Sequence, residues 1–223
     1  MTRDQLFGLG GKVAAVIGAG SGIGAAVALG CARQGATVRC LDVDTGAAER
    51  TAETIVGADG AADAARLDIT DGTAVDQAFD ELVEQHRSLD VVVCTPGVSV
   101  RKRLVDYTDD EFDRVVGLNL KGSFHVLRAA GRIMMAQGSG SIILFSSIRA
   151  TVVEPGQSVY ASTKAGIVQL VRTAAAEFGP SGVRVNAVGP GVVTTPLTAQ
   201  IQNDPDPHRA TRSPGRTKSR RRG

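Results

Sequence analysis

Tyr160 and Lys164 stand four residues apart in the run Tyr-Ala-Ser-Thr-Lys, with Ser147 thirteen residues upstream of the tyrosine. On a helix, positions four apart share a face, so an ammonium can lie beside the phenol. A free phenol has a pKa of about 10, and a fixed neighbouring cation lowers it by stabilising the charged form. That suits proton transfer near neutral pH, with the upstream hydroxyl able to bond the same reacting oxygen. A Tyr-x-x-x-Lys pair alone is weak and reads first as an exposed helical pair; its weight comes from the other parts that the chain supplies in order.

The first of these is Gly18-Ala-Gly20-Ser-Gly22-Ile-Gly24, which follows an apolar run and opens a helical stretch. A glycine turn at that junction lets backbone approach a pyrophosphate, and the helix N-terminus favours the anion. Asp42 lies eighteen residues past Gly24, after the second apolar run. A carboxylate there can accept hydrogen bonds from the hydroxyls of an adenosine ribose, and it repels a 2′-phosphate. Ser21 occupies a place where a basic residue would help hold that phosphate. Both choices favour NAD over NADP, although Asp42 is also readable as a helix cap or a solvated acid.

Positioning these groups requires an alternation of strands and helices. Short apolar runs at 12–18, 37–41, 64–67, 89–94, 141–145 and 183–188 read as strands. The third is weak and rests on context. Helices are expected at 22–34, closed by Gly35, at 45–56 with Thr45 as cap, and at 71–86. A long helical stretch follows a Thr108/Glu111 capping box and runs towards 137, with a bend at Gly117, and another helix spans 158–178. Six such alternations predict an α/β fold, a doubly wound parallel Rossmann sheet. Ligands then sit beyond the carboxyl ends of the strands, where strand order reverses.

Composition bounds the rest. A chain of 223 residues is most simply one domain with a tail. Cys31, Cys40 and Cys94 are odd in number and lie in apolar segments, which favours buried thiols in a reducing compartment over disulfides or zinc. No leader and no run of about 20 apolar residues is seen, so a cytoplasmic protein without membrane contact is expected. The formal charge is +2, but residues 209–223 carry seven basic and no acidic groups, leaving about −5 on the rest. That is a mildly acidic surface with no nucleic-acid footprint.

Taken together, the chain resembles the short-chain dehydrogenase/reductase family in its single-domain branch, over roughly residues 6–199. The resemblance implies an oxidoreductase that transfers hydride between NAD(H) and a secondary alcohol or ketone. It implies a tetrad of Asn119, Ser147, Tyr160 and Lys164. Tyr160 would exchange the proton, Ser147 would hold the carbinol oxygen, Lys164 would hold the nicotinamide ribose and depress the Tyr160 pKa, and Asn119 would anchor a water path. It also implies cofactor contacts from Gly18, Ser21, Gly22, Ile23 and Gly24, from Asp42, from Asp68 and Ile69 at adenine, from Gly97, and from Pro190, Gly191, Val193 and Thr195 around the nicotinamide, with Tyr160 and Lys164 at its ribose. Each has a plainer alternative. Asp68 could cap the next helix, Asn119 could serve only a bend, Ser146 could stand for Ser147, and Pro190-Gly191 could be an ordinary turn.

Three departures stand out. Ile17 precedes Gly18 where the family has threonine, and Cys94-Thr95-Pro96-Gly97 replaces an Asn-Asn-Ala-Gly run. Thr95 can still bond neighbouring backbone, and Gly97 keeps the close approach. The third is larger: the family's last helix and seventh strand have no counterpart. Residues 1–203 read as the NAD(P)-binding domain and 204–223 as a disordered basic tail, a change of composition that a shifted reading frame would leave. This predicts an exposed sixth-strand edge and a homo-oligomer through the two long helices, a marginal dimer; a heat-stable tetramer in light scattering would refute it. The runner-up is a non-catalytic nucleotide-binding protein with an incomplete substrate pocket.

Overall fold

The computed structural model describes residues 7–194. Six parallel strands form one sheet in the order β3-β2-β1-β4-β5-β6. They are β1 (Val13–Ile17), β2 (Thr37–Asp42), β3 (Ala61–Arg66), β4 (Val91–Cys94), β5 (Gly140–Phe145) and β6 (Val183–Val188). The helices are α1 (Gly22–Arg33), α2 (Thr45–Val56), α3 (Gly72–His86), α4 (Asp109–Val116), α5 (Ser123–Gln137) and α6 (Ser158–Phe178). The chain reverses its direction of sheet growth between β1 and β4, which pair directly. A crevice therefore opens above their carboxyl ends.

Alternation along β1 explains the layering. Val13, Ala15 and Ile17 belong to one apolar cluster with Phe79, Leu82, Val126 and Ile167, while Ala14 and Val16 belong to another with Ala28, Ala48 and Ile55. One strand thus feeds both faces, α3, α5 and α6 on one side and α1 and α2 on the other, and all five of its residues are buried.

Several local expectations shift. The cap of α2 is Asp44, whose carboxylate accepts from Ala47 N at 3.0 Å, rather than Thr45. A carboxylate is the better acceptor for a free N–H at the positive helix end. β3 spans Ala61–Arg66 and so begins earlier than the 64–67 expected; its alanines carry little strand signal, and pairing with β2 fixes it. The Thr108/Glu111 capping box is present in both directions. The expected bend is a π-helical segment, Gly117–Gly122, inserted between α4 and α5. Cys40 and Cys94 are buried and Cys31 is half-buried; all three are free. Among the described residues β6 is an edge strand, and no helix is long and apolar enough to cross a membrane. The 204–223 tail lies outside the described residues.

Candidate active site

A groove of about 670 Å³ lies over the carboxyl ends of β1, β2 and β4. Gly18, Ser21, Gly22, Ile23 and Gly24 line one wall. The turn admits no larger residue: a Cβ on Gly24 would overlap the Gly18 carbonyl, and one on Gly20 would sit 2.8 Å from Asp42 Oδ2. Gly18 also needs its positive φ of 81°. Asp42 stands at the groove and grips the turn. Its Oδ2 accepts from Gly20 N at 2.9 Å and its Oδ1 from Asp44 N at 3.0 Å. An ionised carboxylate has about four acceptor positions, so two remain for a ligand.

Asp68 and Ile69 line the far end of the groove. Asp68 does not cap α3; Asp71 does, accepting from Thr73 N and Ala74 N. Asp68 instead accepts from the Thr70 hydroxyl and backbone, which hold its carboxyl below the usual range. Thr95 supplies the backbone bond its hydroxyl allows, donating to Ile17 O at 2.9 Å and so stitching β4 to the first turn. Gly97 joins the groove to the tetrad: a Cβ there would lie 3.2 Å from Lys164 Nζ and 3.6 Å from Asn119 Oδ1.

Asn119 is fully buried in the π-helical segment. Its side chain pairs with Val98 backbone at both ends, N–H to Oδ1 at 2.8 Å and Nδ2 to carbonyl at 2.9 Å. It also donates to Thr163 Oγ1 at 3.1 Å, and Thr163 donates to the Tyr160 carbonyl at 2.7 Å. Thr163 thus couples the bulge to the tyrosine's own turn of α6, a role the sequence did not signal. π-Bulges are frequent at functional sites because they re-aim side chains.

The two serines after β5 separate cleanly. Ser146 is buried and donates to the Lys164 carbonyl at 2.8 Å, whereas the Ser147 hydroxyl favours the ionised form of the Tyr160 phenol. Pro190 is tied alongside, its carbonyl accepting from Ile148 N at 3.0 Å. Gly191 and Val193 follow on an exposed stretch, and Thr195 lies outside the described residues. Asn119, Ser147, Tyr160, Lys164, Pro190, Gly191 and Val193 are not part of the groove wall itself; they adjoin it through Gly97 and the segment after β5.

The electrostatics depart from expectation. Lys164 Nζ donates to Phe145 O at 2.8 Å and sits 5.7 Å from the centre of the Tyr160 ring. Burial pushes the lysine down from 10.5 to about 8. Tyr160 is raised above its ordinary value by burial, opposed by the Ser147 hydrogen bond and the Arg149 charge. The expected depression by Lys164 is therefore not found: the ammonium is turned to a backbone carbonyl, and desolvation of the phenolate outweighs the remaining attractions. The sequence also missed Arg149, two residues past Ser147, and Arg114 and Leu118, which line the groove. Three consecutive basic residues, 101–103, are each paired with a carboxylate. Arg101 pairs with Glu154, Lys102 with Glu111 and Arg103 with Asp106.

The family model described as enoyl-(acyl carrier protein) reductase matches residues 18–219. A (3R)-3-hydroxyacyl-CoA dehydrogenase from Mus musculus is 38% identical over 199 residues, covering 85% of this chain and 76% of that protein. The chain belongs to the short-chain dehydrogenase/reductase family. Among solved structures, a gluconate 5-dehydrogenase from Burkholderia cenocepacia J2315 in complex with NADP and tartrate has a TM-score of 0.88 at 29% identity, with 92% of this chain and 81% of that one covered. An NAD+-bound xylitol dehydrogenase has a TM-score of 0.80 at 33% identity, with 82% and 71% covered. The shared architecture is the six-stranded Rossmann sheet, and the short-chain dehydrogenase/reductase relatives are oxidoreductases acting on CH–OH groups.

Proposed function

We propose that this short-chain dehydrogenase/reductase interconverts a secondary alcohol and its ketone using a nicotinamide cofactor, with Tyr160 as the acid–base. The carrying observation is the arrangement on one helix of Tyr160, with Lys164 Nζ 5.7 Å from its ring centre, and of that same lysine against Gly97 of the groove. A dinucleotide fits the groove's donors: a turn without room for Cβ atoms at Gly20 and Gly24, and a carboxylate with acceptor positions free. Gly18, Ser21, Gly22, Ile23 and Gly24 would hold the pyrophosphate, Asp42 the adenosine ribose, Asp68 and Ile69 the adenine. Lys164, Gly97 and the segment from Pro190 onward would hold the nicotinamide half.

A bound nicotinamide supplies or accepts the hydride. Tyr160 takes the hydroxyl proton during oxidation and returns it during reduction, while the Ser147 hydroxyl holds the reacting oxygen where charge develops. Asn119 fixes residue 98 and α6 in register. NAD is preferred over NADP because Asp42 faces the 2′ position and Ser21 offers no cation there; solved relatives carry one cofactor or the other. The free thiols fit a cytoplasmic setting. A second copy is the natural partner for the apolar groove of Val116, Leu120, Phe124 and Leu170 between the two long helices, where Phe124 is 43% exposed.

The test is turnover of purified protein on a panel of secondary alcohols with NAD and NADP, beside Tyr160→Phe. Loss of kcat by at least about 100-fold, with NADH binding kept, is expected. Equal turnover in both proteins would reject Tyr160 as the acid–base. No turnover in either, with NADH bound, would favour the non-catalytic reading, which the open rim at Val153, 90% exposed, makes worth separating.

A further inference from the structure

We propose that His125, a buried imidazole behind the groove, is a positioning residue for the adenine end of the cofactor, because it fixes the one peptide that aims the Asp68 carboxylate. The inference rests on the reading of the groove as a dinucleotide site. His125 stands in the first turn of α5 and is 7% exposed. Its Nδ1 lies 2.9 Å from Ile69 O. A carbonyl only accepts, so Nδ1 carries the hydrogen and donates. The far side of the ring is walled in: a Cβ on Gly72 would come within 3.2 Å of Nε2 and Cδ2. Three residues before His125, Gly122 takes the Ile69 side chain so closely that a Cβ there would lie 2.7 Å from Ile69 Cγ1. The side chain and the carbonyl of Ile69 are thus both held at the start of α5.

The peptide between Ile69 and Thr70 is the middle of a turn. Asp71 N donates to Asp68 O at 3.2 Å and closes residues 68–71. That closing bond makes no use of the central peptide, which is the unit that rotates when a turn changes type. Here both of its ends are taken. Its C=O accepts from His125, and its N–H donates to Asp68 Oδ1 at 2.9 Å. Thr70 Oγ1 donates to the same oxygen at 2.7 Å. One line of bonds therefore runs from the imidazole through the peptide to the carboxylate, and a donor at the carbonyl strengthens the amide as a donor in turn. Asp68, Ile69 and Thr70 all line the groove, so what His125 holds from behind is the wall that meets the base. Without its donor the Ile69 carbonyl is left unpaired in a buried place, the peptide can rotate, and Asp68 turns with it.

Two substitutions separate the bond from the packing. His125→Phe keeps a ring against Gly72 and deletes the donor. His125→Asn keeps a donor, its Nδ2 standing two bonds from Cβ as Nδ1 does, and gives up the packing. NADH is titrated by its fluorescence, 5′-AMP by competition with NADH, and melting curves are recorded without cofactor. His125→Phe is expected to lose about 5- to 10-fold in affinity for both NADH and AMP. Its KM for the cofactor rises while kcat at saturating cofactor stays at the parental value. His125→Asn melts earlier than His125→Phe yet binds NADH more tightly. Should His125→Phe not fold, His125→Leu carries the same comparison. A ring that serves packing alone would make affinity follow the melting temperature, with His125→Asn the weaker binder. That order overturns the proposal, as does parental affinity in His125→Phe or a loss for NADH without one for AMP. A parent that binds neither NADH nor AMP would overturn the dinucleotide reading itself.

Discussion

The two halves of the crevice are held by different means. On the side where the cofactor is proposed to lie, backbone does the holding. Gly18, Gly20 and Gly24 are pressed so closely against carbonyls, Thr95 and Asp42 that no side chain fits. On the side proposed for the substrate, the loops at 98–106 and 148–157 are joined by side chains, through Arg101–Glu154–Arg149 and Ser99–Gln157. Their rim is apolar and open, with Val105 81%, Val153 90% and Val192 76% exposed. A backbone-built site is rigid and chemically general, so one cofactor serves many reactions. A side-chain-built site can change with few substitutions, which is where substrate identity is set.

The contrast is broken most severely at Gly24. A Cβ there overlaps a backbone oxygen that belongs to the turn itself and comes within 2.9 Å of Thr95 Oγ1. Nothing flexible can yield, so Gly24→Ala is expected to cost about 3 kcal/mol or more. If the turn distorts to absorb it, NADH affinity falls by about 100-fold, the same energy expressed as binding. Fluorescence titration with NADH and a thermal melt read the two. A Gly24→Ala protein with parental affinity and melting temperature would mean that the cofactor wall is softer than its packing implies.

Asp42 sharpens the comparison with a smaller effect. Its carboxylate both grips Gly20 N and faces the groove. Asp42→Asn keeps an oxygen for the turn and removes the charge. A charge-assisted bond is worth about 1.5–3 kcal/mol, so NAD affinity is expected to fall about 10-fold or somewhat more, while NADP gains from lost repulsion. The ratio of the two affinities, measured on parent and variant, decides the matter. Equal binding of NAD and NADP by the parent would remove Asp42 as the discriminator.

The same division explains what could be read from the chain. Gly18 to Gly24, Asp42 and the Tyr160/Lys164 spacing are local patterns, and local patterns survive in a sequence. The Arg101–Glu154 pair spans 53 positions and Asn119–Thr163 spans 44, so neither leaves a spacing signature. β3 was weak because alanines carry no period; its register is imposed by β2. The lysine's rotamer was beyond reach for another reason. Helical spacing fixes which face Lys164 occupies, not whether its flexible stem turns to the phenol or to Phe145 O, an acceptor that the fold brings from 19 positions away.

Lys164 also links the two halves in energy. Its ammonium is buried with one backbone acceptor, and its folded-state value of about 8 lies below the ordinary 10.5. Below pH 8 the group is protonated in both folded and unfolded chains, and burial of the charge costs about 3 kcal/mol. Between about pH 8 and 10.5 the unfolded chain binds more protons than the folded one, so this contribution makes stability rise with pH. Lys164→Met removes the cost but leaves Phe145 O without its donor, so a net gain of about 1–2 kcal/mol at pH 7 is expected. For a domain of this size that raises the melting temperature by roughly 2–8 °C, and it flattens the rise of stability above pH 8. On the proposed role of Lys164 at the nicotinamide ribose, turnover is expected to fall. Melting curves of the cofactor-free parent and variant at pH 7 and 10 check the sign. A variant less stable than the parent at pH 7 would mean that the lysine is held by more than one carbonyl can provide, and that the catalytic half is not the strained half of the crevice.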